Sequence, residues 1–276
     1  MVRRWVKVDV RTAAPGAVAF VTIDRPEKLN AMHSPLMEEL AGALGALADH
    51  PQLAAVVLTG AGERAFIGGA DIDEMAAFAM PAQARQFIVR VHKICEALRS
   101  LPVPTIARIN GMTFGGGLEV AAACDVRVSS DSAVFGMPEV RLGIPSVVEA
   151  ALLPHLIGWG RTRELLLFGE NFTAQQALNW GFVERVVAAP DLDQAVEVWL
   201  SQLAKCSPAA VRLQKSLIRA WEDLPIRAAI AAGVDAFERA AEGGEPAAAM
   251  ARHLAERAAR RQGAPQAAPE KPGEAT

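Results

Sequence analysis

The stretch Ile109-Asn-Gly-Met-Thr-Phe-Gly-Gly-Gly-Leu-Glu-Val-Ala-Ala-Ala-Cys-Asp125 decides how the rest of the chain is interpreted. It predicts the end of a buried strand, a tight turn, and three glycines that open an apolar helix carrying one carboxylate, Glu119. Glycines there let a ligand approach bare backbone N–H groups. A carboxylate in an apolar helix is costly to bury without a partner or a purpose. The stretch therefore indicates a catalytic site, with close helix–strand packing as the structural alternative.

Strands and helices alternate on both sides of this stretch. Apolar, β-branched runs predict strands at residues 4–10, 16–23, 54–59, 105–109, 126–129, 134–135 and 182–187. Amphipathic runs bounded by proline predict helices at 34–49, with Ser34 as N-cap, and at 81–100, with short helices between 146 and 180. This alternation predicts an α/β core with parallel pairing. Beyond residue 191 the chain is predicted to be helical to about residue 261.

Composition excludes several classes of function. The chain has 276 residues, of which 51% are hydrophobic and 21% charged, and a formal net charge of -3, which gives no electrostatic case for binding nucleic acid. Its three cysteines lack the spacing of a metal site or a disulfide framework, so a reducing cytoplasm is expected. No apolar run is long enough to span a membrane.

A second glycine turn resembles the first in its setting. Phe66-Ile-Gly-Gly-Ala-Asp-Ile-Asp-Glu-Met75 also follows a predicted buried strand and opens a helix. Neither turn has the G-x-G-x-x-G or Gly-Lys-Ser/Thr pattern of a nucleotide loop. On its own, this stretch would be interpreted as a structural turn with no catalytic role. Together, the two could each give one N–H to a single oxygen, forming an oxyanion hole.

Two further glutamates are candidates for proton transfer. Glu139 follows Glu119 by twenty residues, and Pro138 fixes the backbone just before it. Alone, Glu139 is more typical of a surface loop acid or of a charge at a helix N-terminus. Paired with Glu119 it becomes a candidate acid/base couple, because nearby carboxylates push their proton affinities apart. Glu149 is predicted to be an exposed helix acid, although its apolar neighbours make it a weaker second candidate.

Four motifs, in order, resemble those of the enoyl-CoA hydratase (crotonase) superfamily. They are Arg25-Pro-Glu-Lys-Leu-Asn-Ala31, Phe66–Met75, Asn110–Glu119 and Phe135-Gly-Met-Pro-Glu-Val-Arg-Leu-Gly-Ile-Pro145. The later segment Thr173-Ala-Gln-Gln-Ala-Leu-Asn-Trp-Gly-Phe-Val183 is also similar. The resemblance covers residues 5–260, and linked motifs in the right order are far more specific than a single glycine run.

The resemblance implies an α/β fold built as a spiral of ββα units, with a helical C-terminal region that packs trimers. Residues 1–200 would form the spiral core with the active site, residues 201–262 the oligomerisation region, and residues 263–276 a disordered tail. The partners implied are an acyl-CoA thioester as substrate and further copies of the chain in a homotrimer or homohexamer. No cofactor is implied, because coenzyme A is part of the substrate.

The resemblance also assigns roles to residues. The backbone N–H groups of Ala70 and Gly116 would form the oxyanion hole for the thioester carbonyl. Glu119 and Glu139 would match the two catalytic glutamates of the hydratases. The residues implied in substrate binding are Ala70, Asp71, Ile72, Asp73, Gly116 and Lys28, and the loop around Arg25–Lys28 would lie near the nucleotide or pantetheine of CoA. The implied activity is hydration of an enoyl-CoA.

One segment departs from the family pattern. After Pro145 hydratases usually have a glycine-rich run, whereas this chain reads Ser146-Val-Val-Glu-Ala-Ala-Leu-Leu153. The departure leaves open a related reaction of the superfamily, as an isomerase, hydrolase or carbon–carbon lyase. A different class remains too, a non-catalytic assembly or RNA-associated subunit. The retained glutamate pair argues against that class, and the net negative charge argues against RNA.

Overall fold

The computed structural model describes residues 3–13, 16–242 and 244–263. The chain divides into two compact units, residues 1–216 and 217–276. Beyond Gly263, the predicted disordered tail lies outside the described residues.

The strands and helices follow the predicted alternation. The strands are β1 Val6–Ala13, β2 Gly16–Ile23, β3 Leu53–Gly60, β4 Ala65–Ile67, β5 Thr105–Ile109, β6 Met112–Phe114, β7 Val126–Ser130, β8 Val134–Gly136, β9 Asn171–Thr173 and β10 Arg185–Val187. The α-helices are α1 Ser34–Ala48, α2 Ile72–Ala76, α3 Pro81–Ser100, α4 Gly116–Ala122, α5 Leu153–Phe168, α6 Ala174–Trp180, α7 Leu192–Leu203, α8 Pro208–Asp223, α9 Ile226–Glu242 and α10 Glu245–Gly263. Short 3₁₀ helices span Pro26–Lys28, Pro138–Leu142, Val148–Leu152 and Ala189–Asp191.

Two sheets organise the first unit. The larger has six strands in the order β1-β2-β3-β5-β7-β10, and only the β1–β2 hairpin is antiparallel. The smaller has the order β4-β6-β8-β9, with β4, β6 and β8 parallel and β9 antiparallel to β8. The predicted α/β core with parallel pairing is therefore confirmed.

Apolar side chains cover the larger sheet on both faces, as parallel sheets require. On one face Val21, Ile23 and Leu58 belong to the main core. On the other face Val57 and Ile106 pack in a second cluster with residues of α7. Helices α1 and α3 also pack against each other. The candidate site is built from the ends of β4, β6 and β8 in the smaller sheet.

The start of α1 differs from the prediction. Ser34 was expected to be the N-cap, but His33 takes that position with an extended backbone, and Ser34 is the first helical residue. The Ser34 backbone N–H donates to Glu74 Oε2 at 2.8 Å, and its hydroxyl donates to the other oxygen of the same carboxylate. The Glu74 carboxylate thus caps the N-terminus of α1, and this contact joins α1 to α2.

The second unit contains the end of α8 together with α9 and α10, and α9 packs against α10. Helix α9 carries an apolar stripe of four exposed side chains at helical spacing. They are Ile226, Ile230, Val234 and Phe237, with 75%, 64%, 66% and 74% of their surface accessible. Four such side chains on one face form a contiguous apolar patch, the kind that marks an interaction surface.

Candidate active site

The glycine stretch brings two loops of the smaller sheet together. Gly115, between β6 and α4, has a φ of 52°, a conformation that side-chain-bearing residues avoid. Its N–H donates to Gly136 O at 2.9 Å, which ties the end of β6 to the end of β8. Gly117 packs so closely on Ile67 of β4 that a Cβ would collide with the Ile67 carbonyl. As a result, α4 and the loop after β8 start side by side.

Glu119 and Glu139 flank the pair Gly115-Gly116. Glu139 Oε1 lies 2.5 Å from the position that a Cβ on Gly115 would occupy, and Glu119 Oε2 lies 3.9 Å from the corresponding position on Gly116. Glu119 is buried within α4, whereas Glu139, in the 3₁₀ helix after β8, is partly exposed. Ser146 Oγ donates to Glu139 Oε2 at 3.0 Å. The structure therefore brings the two predicted carboxylates to one place.

The surroundings give the two carboxyls different proton affinities. Burial raises the pKa of Glu119 to about 8, and the charges of Glu139 and Glu149 add to the rise. Burial also raises the pKa of Glu139, and hydrogen bonds from the backbone and Ser146 oppose that rise. A raised pKa favours the protonated form of Glu119 near neutral pH. Two carboxyls whose environments push their pKa values apart can divide the roles of acid and base.

Two backbone N–H groups beside these carboxyls are available to a ligand. Met32 N donates to Gly69 O and Asp71 N donates to Met32 O, both at 2.8 Å, so Ala70 between them makes neither bond. Gly116 is the first residue of α4, where N–H groups lack a helical partner. Within the described ranges, neither the Ala70 nor the Gly116 N–H donates a hydrogen bond, and both residues are partly exposed.

The two glycine turns lie against each other. Gly69 has a φ of 108°, and a Cβ on it would stand 3.2 Å from the carbonyl oxygen of Phe114. Phe114 directly precedes Gly115 and Gly116, so the turn carrying Ala70 and the turn carrying Gly116 are neighbours. The backbone N–H groups of Ala70 and Gly116 therefore belong to adjacent turns.

Asp71, Ile72 and Asp73, which are also implied in substrate binding, lie where the turn after Gly69 passes into α2. The buried carboxylate of Asp71 accepts from Arg25 Nη1 at 2.6 Å and from the Glu74 backbone N–H at 3.0 Å, which caps α2. The Asp71 side chain thus holds the loop in place. Ile72 is 60% exposed.

Lys28 and Asp73 meet on the surface of the same region. Lys28 Nζ lies 2.8 Å from Asp73 Oδ2, and both side chains are largely exposed. Exposed ion pairs open readily in water, so Lys28 stays available to an anionic group. Their roles in binding remain predictions.

Glu149 is not the exposed helix acid that the sequence predicted. Only 5% of its surface is accessible, because it belongs to the 3₁₀ helix Val148–Leu152, which packs against α3 and α4. Its Oε1 lies 2.7 Å from His92 Nδ1 on α3. No local pattern pointed to His92 as a partner of Glu149, since the two residues are 57 positions apart. The apolar residues on both sides of Glu149 were the one available signal of burial.

Comparison with known proteins identifies the family. A family model described as enoyl-CoA hydratase/isomerase matches residues 13–259.

The chain belongs to the enoyl-CoA hydratase/isomerase family.

Among its relatives is the short-chain-enoyl-CoA hydratase of Clostridium acetobutylicum, which is 37% identical over 80% of this chain and 85% of the relative. A crystal structure of enoyl-CoA hydratase from Bacillus anthracis is 33% identical and superposes with a TM-score of 0.80, covering 85% of this chain and 90% of that one. A Geobacillus kaustophilus enoyl-CoA hydratase subunit I structure gives a TM-score of 0.83 at 31% identity, covering 92% and 97%.

The four motifs that resemble this superfamily all lie within the matched residues 13–259. Within the described residues, no helix combines the length and the hydrophobicity needed to cross a membrane. In the same residues, no three His, Cys, Asp or Glu side chains are grouped so as to hold a metal ion.

Proposed function

We propose that this protein is an enoyl-CoA hydratase, which adds water across the α,β double bond of an enoyl-CoA thioester. One observation carries the proposal: Glu119 and Glu139 flank Gly115-Gly116, beside backbone amides that no described residue uses. The assignment as an isomerase is less well supported. By the family resemblance, isomerases usually keep only the later glutamate, whereas this chain has both.

In the proposed reaction the amides of Ala70 and Gly116 bind the thioester carbonyl oxygen. As water adds at the β carbon, charge moves onto this oxygen, and the two N–H groups stabilise the resulting enolate more than they stabilise the substrate. Loss of one such donor typically costs about 2.7–4 kcal/mol in the barrier. Lys28 and the loop Asp71–Asp73 would contact the CoA portion.

The two carboxyls divide the proton transfers. As the oxygen of the water bonds to the β carbon, Glu139 takes a proton from that water. Glu119, whose raised pKa favours the acid form, gives its own proton to the α carbon. The reaction then leaves Glu139 protonated and Glu119 ionised, and transfer of one proton between them restores the starting state. Ser146 supports Glu139 by donating to Oε2.

The wild-type protein is expected to consume crotonyl-CoA or a longer enoyl-CoA, seen as loss of enoyl absorbance. A thermal-shift measurement with the same thioesters should show a rise in melting temperature, because a ligand that binds the native state stabilises it. A protein that binds these thioesters but hydrates none of them would contradict the proposed function. A protein that neither binds nor hydrates them would favour the non-catalytic alternative.

We also propose that the protein acts as a homotrimer or homohexamer in the cytoplasm. The exposed stripe Ile226, Ile230, Val234 and Phe237 on α9 supports self-association, because so large an apolar face is unfavourable in water. The buried thiols of Cys95 and Cys124, which form no disulfide, fit a reducing compartment.

Phe237→Glu is expected to convert the oligomer into smaller species, because a charge in an apolar interface must be desolvated. Light scattering after size exclusion measures the mass. The matched control is Ala228→Glu, which adds the same charge at an exposed position nearly half a helical turn from the stripe. If both variants keep the wild-type mass, or if wild type is a monomer, the stripe is not the interface.

A further inference from the structure

We propose that Arg25 is a positioning residue, whose ion pair with Asp71 fixes the direction of the Ala70 backbone N–H. The inference rests on the proposed function, in which this N–H is one of the two donors to the thioester oxygen. The Arg25 side chain acts through the protein groups that it contacts, the carboxylate of Asp71 and a backbone carbonyl of its own loop.

The direction of the Ala70 N–H follows from the orientation of one peptide plane. The Gly69 carbonyl and the Ala70 N–H belong to the same peptide unit, and in a trans peptide the two groups point in opposite directions. The Gly69 carbonyl accepts from Met32 N at 2.8 Å. The Ala70 N–H therefore points away from Met32 as long as this bond is kept.

The glycine turn does not hold this plane by itself. Gly69 has a φ of 108°, and glycine is the residue whose backbone is least restricted. On the other side of Ala70, the Asp71 N–H donates to Met32 O at 2.8 Å. Both bonds end on Met32, so the plane is fixed only if the segment that carries Met32 is fixed against the turn.

Arg25 joins that segment to the turn through a single nitrogen. Its Nη1 donates to Ala31 O at 2.9 Å and to Asp71 Oδ2 at 2.6 Å. Ala31 directly precedes Met32 in the chain, and Asp71 directly follows Ala70. One guanidinium nitrogen thus closes the two sides of the backbone contact that sets the Ala70 N–H.

The backbone of Arg25 is anchored to the sheets. Its N–H donates to Asn30 Oδ1 at 3.0 Å, and its carbonyl accepts from Asn30 N at 2.9 Å. The Asn30 side chain is buried and donates to the carbonyls of Ala61, just after β3, and of Ala65, the first residue of β4. The guanidinium is therefore carried by a loop that is tied to the ends of two strands.

Both members of the pair are charged and shielded from water. Only 12% of the Arg25 side chain and 7% of the Asp71 side chain are exposed, and a guanidinium stays protonated in proteins. Burial alone would raise the pKa of Asp71, but hydrogen bonds from the Glu74 backbone and from Arg25 outweigh it and lower the pKa. Removing either partner of such a pair leaves the other charge buried without compensation.

The first test is a double-mutant cycle on kcat for enoyl-CoA hydration. Arg25→Met removes the guanidinium, and Asp71→Asn removes the charge but keeps an oxygen for the Glu74 N–H that caps α2. Each single variant should lower kcat by about 10–100-fold, because displacement of a catalytic group by about 1 Å can cost the larger factor. KM should change less than kcat, because the N–H stabilises the enolate more than the substrate.

The double variant should lose no more activity than the worse single variant, because both substitutions break the same pair. Losses that multiply in the double variant would overturn the proposal. A rise in KM at unchanged kcat in Arg25→Met would also overturn it, because that result would identify Arg25 as a ligand of CoA.

Arg108→Met is the matched control. Arg108 also belongs to a partly buried ion pair, with Nε 2.6 Å from Asp193 Oδ1, but this pair joins β5 to α7. Arg108→Met should keep kcat near the wild-type value. An equal fall of kcat in Arg108→Met and Arg25→Met would attribute the loss to general destabilisation and would overturn the proposal.

An infrared measurement without turnover separates this inference from the proposed function. Butyryl-CoA, isotope-labelled at its thioester carbonyl, has no double bond to hydrate, and hydrogen bonds to the carbonyl oxygen lower its stretching frequency. On the wild-type protein the band should lie below its frequency in water. On Arg25→Met and Asp71→Asn it should move back towards that frequency.

If the wild-type protein hydrates no enoyl-CoA but the bands behave in this way, the proposed function fails and the positioning role stands. A wild-type band at the frequency found in water overturns the positioning role, whatever the activity. A band at the same frequency in the wild-type protein and both variants overturns it as well.

Discussion

Glu139→Gln is expected to lower kcat for enoyl-CoA hydration by about 10²–10⁴-fold, the range that a positioned general base contributes. The amide cannot take a proton from water, although it can still hold the water by hydrogen bonds. KM should change far less, because binding of the thioester depends on the backbone amides and the loop after Gly69. The measurement is steady-state loss of enoyl absorbance over a range of substrate concentrations.

Ser146→Ala is the matched control for this substitution. Ser146 donates to Glu139 Oε2 at 3.0 Å, so its loss removes one hydrogen bond but leaves the carboxylate in place. The effect on kcat should therefore be much smaller than that of Glu139→Gln. Full activity in Glu139→Gln, with a correctly folded protein, would exclude Glu139 as the base.

Gly115→Ala should lower kcat by about 100-fold, because displacement of a catalytic group by about 1 Å can cost that much. A Cβ at this position would stand 2.5 Å from Glu139 Oε1. The backbone around Gly115 is fixed by its hydrogen bond to Gly136, whereas the carboxylate is the end of a flexible side chain. The Glu139 carboxylate is therefore the group that must move.

The matched control is Gly143→Ala, which lies just after the 3₁₀ helix that carries Glu139. Gly143 also has a positive φ, 78°, but a Cβ on it would meet no atom within 4 Å. Both variants should lose stability, because alanine is strained at positive φ. A fall in kcat in Gly115→Ala alone would assign the loss to Glu139. Equal falls in both variants would attribute it to general destabilisation instead.

The segment that departs from the family pattern contributes to the site in two ways. Ser146 contacts Glu139, and Glu149 lies close enough to raise the pKa of Glu119. The replacement of a glycine-rich run by Ser146-Val-Val-Glu149 thus adds polar groups around both carboxyls. The departure changes the electrostatics of the site while the glutamate pair and the glycine turns remain.

Local pattern was sufficient for most of the fold. The helix predicted at 81–100 and the strand predicted at 105–109 have those bounds in the structure, since proline stops the helix and an apolar run defines the strand. The family motifs likewise named Glu119 and Glu139, which the structure brings to one place.

The short strands β4, β6 and β9 were not predicted. Each has three residues, which is too few for a period of two to be recognised. They become strands only because β4, β6, β8 and β9 form a second sheet. That sheet is what sets the two glycine turns beside each other.

The sequence by itself determined the order of strands and helices, the two glycine turns and the glutamate pair, because those features depend on residues close together in the chain. The tertiary structure alone decided that Glu149 is buried against His92, that Ser34 is not the N-cap, and that the Glu139 carboxylate lies against Gly115. Each of these depends on contacts between distant segments, and burial and charge at such contacts exist only once the layers have packed.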